Sequence, residues 1–265
     1  MHRLATRPAG STTPWIVVPE PRPSARVRLL CFPHAGGGAS SYHAWSTRLP
    51  AEIEVCAIQL PGRESRIREI PVHNLRAIVS RLADELQVEL KGTFAFFGHS
   101  MGALLAFELA RLLRRRGDAL PVHLFFSGRE APHLPKVIQP LSHLDDERLI
   151  EEVRRLKGTP EEILHHRELL ELLLPALRAD FAACETYSCA PEPPLDCPAT
   201  VLGGTRDNVD RADLEAWRQH IDGPFSVRMF PGDHFFPVTD LDLVLRLVSD
   251  TLLRPGQGAP PVAEE

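Results

Sequence analysis

Short apolar runs alternate along this chain with longer stretches whose apolar positions return at helical spacing. The short runs, 27–32, 53–59, 93–97, 122–127, 199–203 and 225–230, are rich in Val, Ile, Leu and Phe with only scattered polar positions, as expected of strands buried on both faces. The longer stretches, 74–90, 101–116, 209–220 and 241–253, read as amphipathic helices. Strands alternating with helices predict an α/β fold, a mostly parallel central sheet with helices on both faces.

The alternation breaks between Ala131 and Pro198, where only helical patterns remain. Leu149, Ile150, Val153 and Leu156 share one face, Thr159-Pro160-Glu161-Glu162 reads as a capping box, and Leu170, Leu173, Leu174, Leu177 and Phe181 line a second helix. Pro175 kinks that helix or begins a new one. The expectation is a helical lid over about 133–195, inserted into one domain spanning 14–254. Its leucine stripes are either core or, at Leu173 and Leu177, the wall of a substrate channel. Residues 1–13 and 255–265, rich in Pro, Gly, Ser, Thr or charge, read as flexible tails.

Candidate chemistry concentrates where strands end. Gly98-His99-Ser100-Met101-Gly102 is a G-x-S-x-G between an apolar run and a helix, the context of a nucleophile elbow in the α/β-hydrolase fold. The later partners of such a serine follow in the order acid, then histidine. Asp207 follows the strand ending at Gly203, and His234 lies in the loop Pro231-Gly232-Asp233-His234 after the last strand. Ser100, Asp207 and His234 are therefore the expected nucleophile, orienting acid and base. Asp210 and Asp213 look like the first turn of a helix, where carboxylates favour the dipole, and Glu130, after another strand, is the alternative acid. The glycine-rich Pro33-His34-Ala35-Gly36-Gly37-Gly38 lacks the spacing of a phosphate loop. It suits a second oxyanion donor, so the backbone amides of Met101 and Ala35 are the expected pair. His34 lines the site or packs beside it, and Phe235 borders it.

Composition narrows the setting. The 265 residues carry a net charge of −5, against the basic surplus that nucleic-acid binding requires. No apolar run approaches a membrane span and the N-terminus lacks a signal-peptide core, so the expected location is cytoplasmic and no membrane is involved. Five cysteines without metal-type pairing suit reduced thiols, and no metal or cofactor is expected. Arg111 and Arg114-Arg115-Arg116 end a helix, where cations suit the dipole.

Further segments carry a family likeness: Cys31-Phe32-Pro33-His34-Ala35-Gly36-Gly37, Gln59-Leu60-Pro61-Gly62-Arg63-Glu64, the elbow, Ser127-Gly128-Arg129-Glu130-Ala131-Pro132, Leu173-Leu174-Pro175-Ala176-Leu177-Arg178-Ala179-Asp180-Phe181 and Gly232-Asp233-His234-Phe235-Phe236. From about Arg26 to about Leu253 the chain resembles the discrete type II thioesterases of polyketide and non-ribosomal peptide synthases. The resemblance implies hydrolysis of acyl groups from the phosphopantetheine arms of acyl or peptidyl carrier proteins, clearing stalled or aberrant chains, by a monomer that itself carries no cofactor. Such carriers are acidic, so a basic patch near the site is expected, with Arg63, Arg66 and Arg68 the nearby candidates. The rival readings are a chain-terminating or cyclising thioesterase, including fatty-acid release, and a non-catalytic carrier-binding scaffold.

Overall fold

The computed structural model describes residues 13–135, 140–156 and 166–254. The capping box and nearly all of both expected tails lie outside the described residues. Thr13, assigned to the first tail, is instead buried and donates a hydrogen bond to Glu85 Oε2 at 2.7 Å.

Seven strands, β1 (Ile16–Val17), β2 (Val27–Phe32), β3 (Ile53–Ile58), β4 (Phe94–His99), β5 (Leu124–Ser127), β6 (Ala199–Gly204) and β7 (Phe225–Phe230), form one sheet in the order β1-β3-β2-β4-β5-β6-β7. Every pairing is parallel except that of β1, which lies antiparallel on β3 with Ile16 opposite Ile58. Two residues present no periodicity, so β1 is invisible to a pattern search.

Alternate side chains explain the unbroken apolar runs. Leu30 and Phe32 of β2, with Phe94 and Phe96 of β4, enter one core beneath α2 (Leu75–Glu85) and α3 (Met101–Arg116). Leu29, Cys31, Ala95 and Phe97 enter the opposite core. That second core is closed by Trp45 of the short helix α1 (His43–Arg48) and by Val244 and Val248 of the C-terminal helix (Leu241–Leu253).

The helix expected over 74–90 is shorter than its leucine spacing suggests. Asn74 caps α2 through the Ala77 amide at 3.0 Å, and regular helix stops at Glu85. Leu86 and Leu90 stay buried through a further turn, because Glu89 is drawn inward to the buried Arg28 at 2.7 Å. The helix expected over 209–220 is likewise shorter, Arg211–Glu215 followed by a 3₁₀ turn. Between β5 and β6, α4 (Asp146–Leu156) and α5 (Arg167–Thr186) pack through their own cluster of Leu149, Val153, Leu170, Leu174 and Leu177. Pro175 lies inside α5, and the helix is continuous across it rather than starting anew.

Two half-buried histidines make the fold acid-sensitive. His123 packs on Phe125 and pairs with Thr200 Oγ1 at 2.9 Å, and burial pulls its pKa from 6.5 to about 4. His220 also falls to about 4, through burial and then His133 and Arg111. Between these values and 6.5 the unfolded chain binds more protons than the native one, so stability falls as pH drops through that window and is flat above it. Thermal melts across pH should show this slope, and His123→Gln, which keeps a hydrogen-bonding group there, should make it shallower. An unchanged slope in the variant excludes His123 as a source.

Candidate active site

Ser100 is the turn between β4 and α3. Its φ of 54° and ψ of −113° are a conformation that residues with a Cβ rarely adopt, and its amide is tied to the Ser127 carbonyl at 2.8 Å. The glycines on either side are required by close backbone approach. A Cβ on Gly98 would fall 2.2 Å from the Gly102 carbonyl oxygen, and one on Gly102 would fall 2.0 Å from that of Phe32. The Met101 amide opens α3, where first-turn N–H groups have no intrahelical acceptor.

The loops leaving β6 and β7 bring Asp207 to His234. His234 Nδ1 lies 2.9 Å from Asp207 Oδ2, and Asp207 Oδ1 accepts the Asn208 amide at 2.7 Å. The Asp207 side chain is 4% exposed, so the carboxylate is desolvated and held by donors on both oxygens. The competing carboxylates are occupied elsewhere: Asp210 caps the following helix through the Asp213 amide, and Glu130 pairs with Arg129 at 3.0 Å. Behind His234 stands His99, its ring centroid 4.9 Å away. Burial, then His234 and His34, hold the His99 pKa well below the usual histidine range, so it puts no positive charge beside His234.

Ser100, His234 and Asp207 share the wall of a cavity of about 630 Å³ with His34, Ala35 and Phe235. His34 both lines it and packs edge-on against Phe235, with ring centroids 5.1 Å apart. The facing wall comes from the helical insertion, including Leu141, Val153, Leu156, Leu177 and Phe181, so the cavity lies between the insertion and Ser100. Leu173, expected beside Leu177 in the substrate path, is absent from this wall. One turn earlier on α5, it packs against the lid's own cluster. Leu177→Ala should therefore shift preference toward longer acyl chains. Leu173→Ala should cost stability, up to about 2 kcal/mol for this half-buried leucine, with selectivity unchanged. Both truncations cost stability, since Leu177 belongs to the same cluster, so relative rates on short and long acyl thioesters separate the two, and equal selectivity shifts in both would contradict the assignment.

Two of the three arginines expected to form a docking patch are structural. Arg63 is 2% exposed and makes a two-pronged ion pair with Asp180 of α5 at 2.7 and 2.9 Å. Arg66 is buried over Trp15 and paired with Glu69, which leaves only Arg68 exposed. Arg111, Arg114 and Arg115 converge on Glu192 near the end of α3, in keeping with a structural role there. Asp180 stands in the sequence only within a segment of family likeness, yet it carries a signal of its own: it is a carboxylate within an otherwise apolar stripe of α5, and such a group needs a buried partner. Among the described residues no cluster of three or more His, Cys, Asp or Glu side chains is arranged to hold a metal, and no helix is long and apolar enough to cross a membrane.

Comparison with known proteins agrees with this geometry. A family model described as "Thioesterase domain" matches residues 27–252. The chain is 51% identical over 223 residues to the gramicidin S biosynthesis protein GrsT of Aneurinibacillus migulanus, covering 84% of this chain and 87% of that protein. It is 40% identical over 249 residues to the thioesterase PikA5 of Streptomyces venezuelae, covering 93% and 88%. Among solved structures, the type II thioesterase BorB from the borrelidin biosynthetic cluster superposes with a TM-score of 0.83 at 39% identity, covering 90% of this chain and 97% of that one.

Proposed function

Because the chain belongs to the thioesterase family, we propose that Ser100, His234 and Asp207 hydrolyse acyl groups from the phosphopantetheine arms of carrier proteins, clearing misloaded or stalled chains in polyketide or non-ribosomal peptide assembly. Its activity is thioester hydrolysis. The observation that carries the residue assignment is the His234–Asp207 bond behind an elbow serine, opening on a cavity walled by the helical insertion.

The proposed steps use groups the chain itself supplies. Ser100 Oγ attacks the thioester carbonyl while His234 takes its proton, and the amides of Met101 and Ala35 receive the developing oxyanion. Collapse expels the pantetheine thiol, which takes its proton from His234, and leaves an acyl group on Ser100. Water, deprotonated by His234, then releases the free acid. Asp207 holds the tautomer in which Nδ1 carries the proton, and stabilises the imidazolium. No metal or further cofactor enters these steps. The partner is an acyl or peptidyl carrier protein; its acidic surface, the monomeric state and a cytoplasmic setting belong to the same proposal.

Purified protein given acetyl- or propionyl-loaded carrier should yield free carrier and carboxylic acid, with an acyl group on Ser100 trappable by mass spectrometry. The carrier-bound thioester should be preferred by about tenfold or more in kcat/KM over a small-thiol analogue, because remote contacts help to place the carbonyl. A protein that binds acyl carrier but leaves every thioester intact is the inert scaffold. Release of one long or cyclic product alone identifies a chain-terminating enzyme.

A further inference from the structure

The segment Gln59-Leu60-Pro61-Gly62-Arg63-Glu64 and helix α5 hold the loop that carries Ala35. Gln59 Oε1 accepts the Ala39 amide at 2.8 Å, and Glu64 Oε1 accepts the Ser40 amide at 3.2 Å and the Ser40 hydroxyl at 2.5 Å. Nearer Ala35, Arg63 Nη1 donates to the Gly37 carbonyl at 3.0 Å, and Asp180 Oδ2 accepts the Gly36 amide at 2.8 Å. Arg63 and Asp180, joined to each other and almost fully buried, thus grip the two residues after Ala35. Leu177, one turn before Asp180 on the same face of α5, seats on Gly36 so closely that a Cβ there would lie 2.4 Å from Leu177 Cδ2.

These contacts fix the orientation of the Ala35 amide. The Gly37 amide donates back to the His34 carbonyl at 3.0 Å, which sets the peptide plane between His34 and Ala35. That plane is trans, so the Ala35 N–H points opposite to the His34 carbonyl, away from the turn. The next plane is set by Asp180 through the Gly36 amide. An oxyanion donor acts through being aimed before the charge appears, so its supports are part of its strength. A buried ion pair is often replaceable by apolar residues without loss of stability, and stability therefore gives weak reason for this one.

We infer that Arg63 and Asp180 are positioning residues for thioester hydrolysis, a buried ion pair through which helix α5 of the lid holds the Ala35 amide in line for the oxyanion. This rests on the reading of Ala35 as an oxyanion donor to an intermediate formed on Ser100. It also couples the lid to the chemistry, since a displacement of α5 that carries Asp180 away withdraws the donor together with the cavity wall.

The test is the double variant Arg63→Met with Asp180→Leu, which removes both charges and keeps apolar volume. It should still melt cooperatively, at a temperature lowered by the Gly36 amide and Gly37 carbonyl, which lose their partners. Its kcat should fall about 100-fold, at the low end of what losing one oxyanion donor costs, with KM within about twofold. Butylboronic acid, whose adduct on Ser100 places an oxygen in the oxyanion site, should bind about 100-fold more weakly, while the butyramide analogue of butyryl-pantetheine should bind within about twofold of wild type. A folded double variant with kcat and boronate affinity within about threefold of wild type overturns the inference and leaves the pair structural. Parallel loss of boronate and amide affinity also overturns it, since that signals general distortion of the cavity. Should the double variant not melt cooperatively, Asp180→Asn takes the same two ligands, with about a tenfold loss confined to the boronate expected and equal changes in both overturning. Failure of the wild-type chain to form the boronate adduct, or to hydrolyse thioesters, would instead strike the reading of Ser100 and its oxyanion site.

Discussion

Asp207→Asn is expected to lower turnover about 10⁴-fold while leaving the fold intact, the order of loss seen when a serine protease triad is deprived of its acid. The reason lies in the proton on His234. Asp207 Oδ2, 2.9 Å from Nδ1, keeps the proton there and leaves Nε2 free to act as base toward Ser100. An asparagine can present its NH₂ group to the ring and favour the opposite tautomer, and it carries no charge to stabilise the imidazolium. Glu130→Gln is the matched control. Glu130 lines the same cavity and follows β5, but its carboxylate is engaged by Arg129 at 3.0 Å, so turnover should stay within about threefold of wild type. Single-turnover rates on propionyl carrier decide the matter: near-normal acylation by Asp207→Asn means that Asp207 is not the acid, and collapse in Glu130→Gln means that Glu130 is.

Much of this arrangement was legible in the sequence because it depends on short-range constraints. The strands were visible because both faces are buried, which leaves runs such as Phe94-Ala95-Phe96-Phe97 apolar at every position. Ser100, Asp207 and His234 stand out as candidates because they follow strand ends, one residue after His99, three after Gly204 and four after Phe230. Long-range pairing was not legible. Nothing in the order of residues joins Arg63 to Asp180, 117 positions apart, and a run of Arg63, Arg66 and Arg68 read naively is a basic patch. Burial reverses that reading for Arg63 and Arg66. Leu173 and Leu177 likewise share a helical face in sequence, while the packing of α4 on α5 assigns only Leu177 to the cavity wall. The likeness in Gln59-Leu60-Pro61-Gly62-Arg63-Glu64 marked a segment without explaining it. Its contacts show three of its side chains holding the backbone from Gly37 to Ser40.

Replacing Ser100 should give the largest effect and should also show what the elbow costs. Ser100→Ala and Ser100→Gly are both expected to lower turnover by about 10⁵–10⁶, as in serine hydrolases stripped of their nucleophile, and neither should yield an acyl adduct. Carrier binding should survive in both, because the cavity and its rim are untouched. The two variants should differ in stability. At a φ of 54° and ψ of −113°, alanine suffers the same clash of Cβ with backbone as serine, a strain of about 1–3 kcal/mol that glycine escapes. Glycine gives back about 0.5–1 kcal/mol through the greater freedom of its unfolded chain. The net gain of about 1 kcal/mol should place the melting temperature of Ser100→Gly about 2–4 °C above that of Ser100→Ala. Equal melting temperatures would limit the strain to the about 0.5–1 kcal/mol that glycine gives back, and a Ser100→Gly variant melting below Ser100→Ala would mean that the elbow stores none. Substantial hydrolysis by either variant, with the acid still released from the carrier, would mean that water attacks the thioester directly and that Ser100 is not acylated during the reaction.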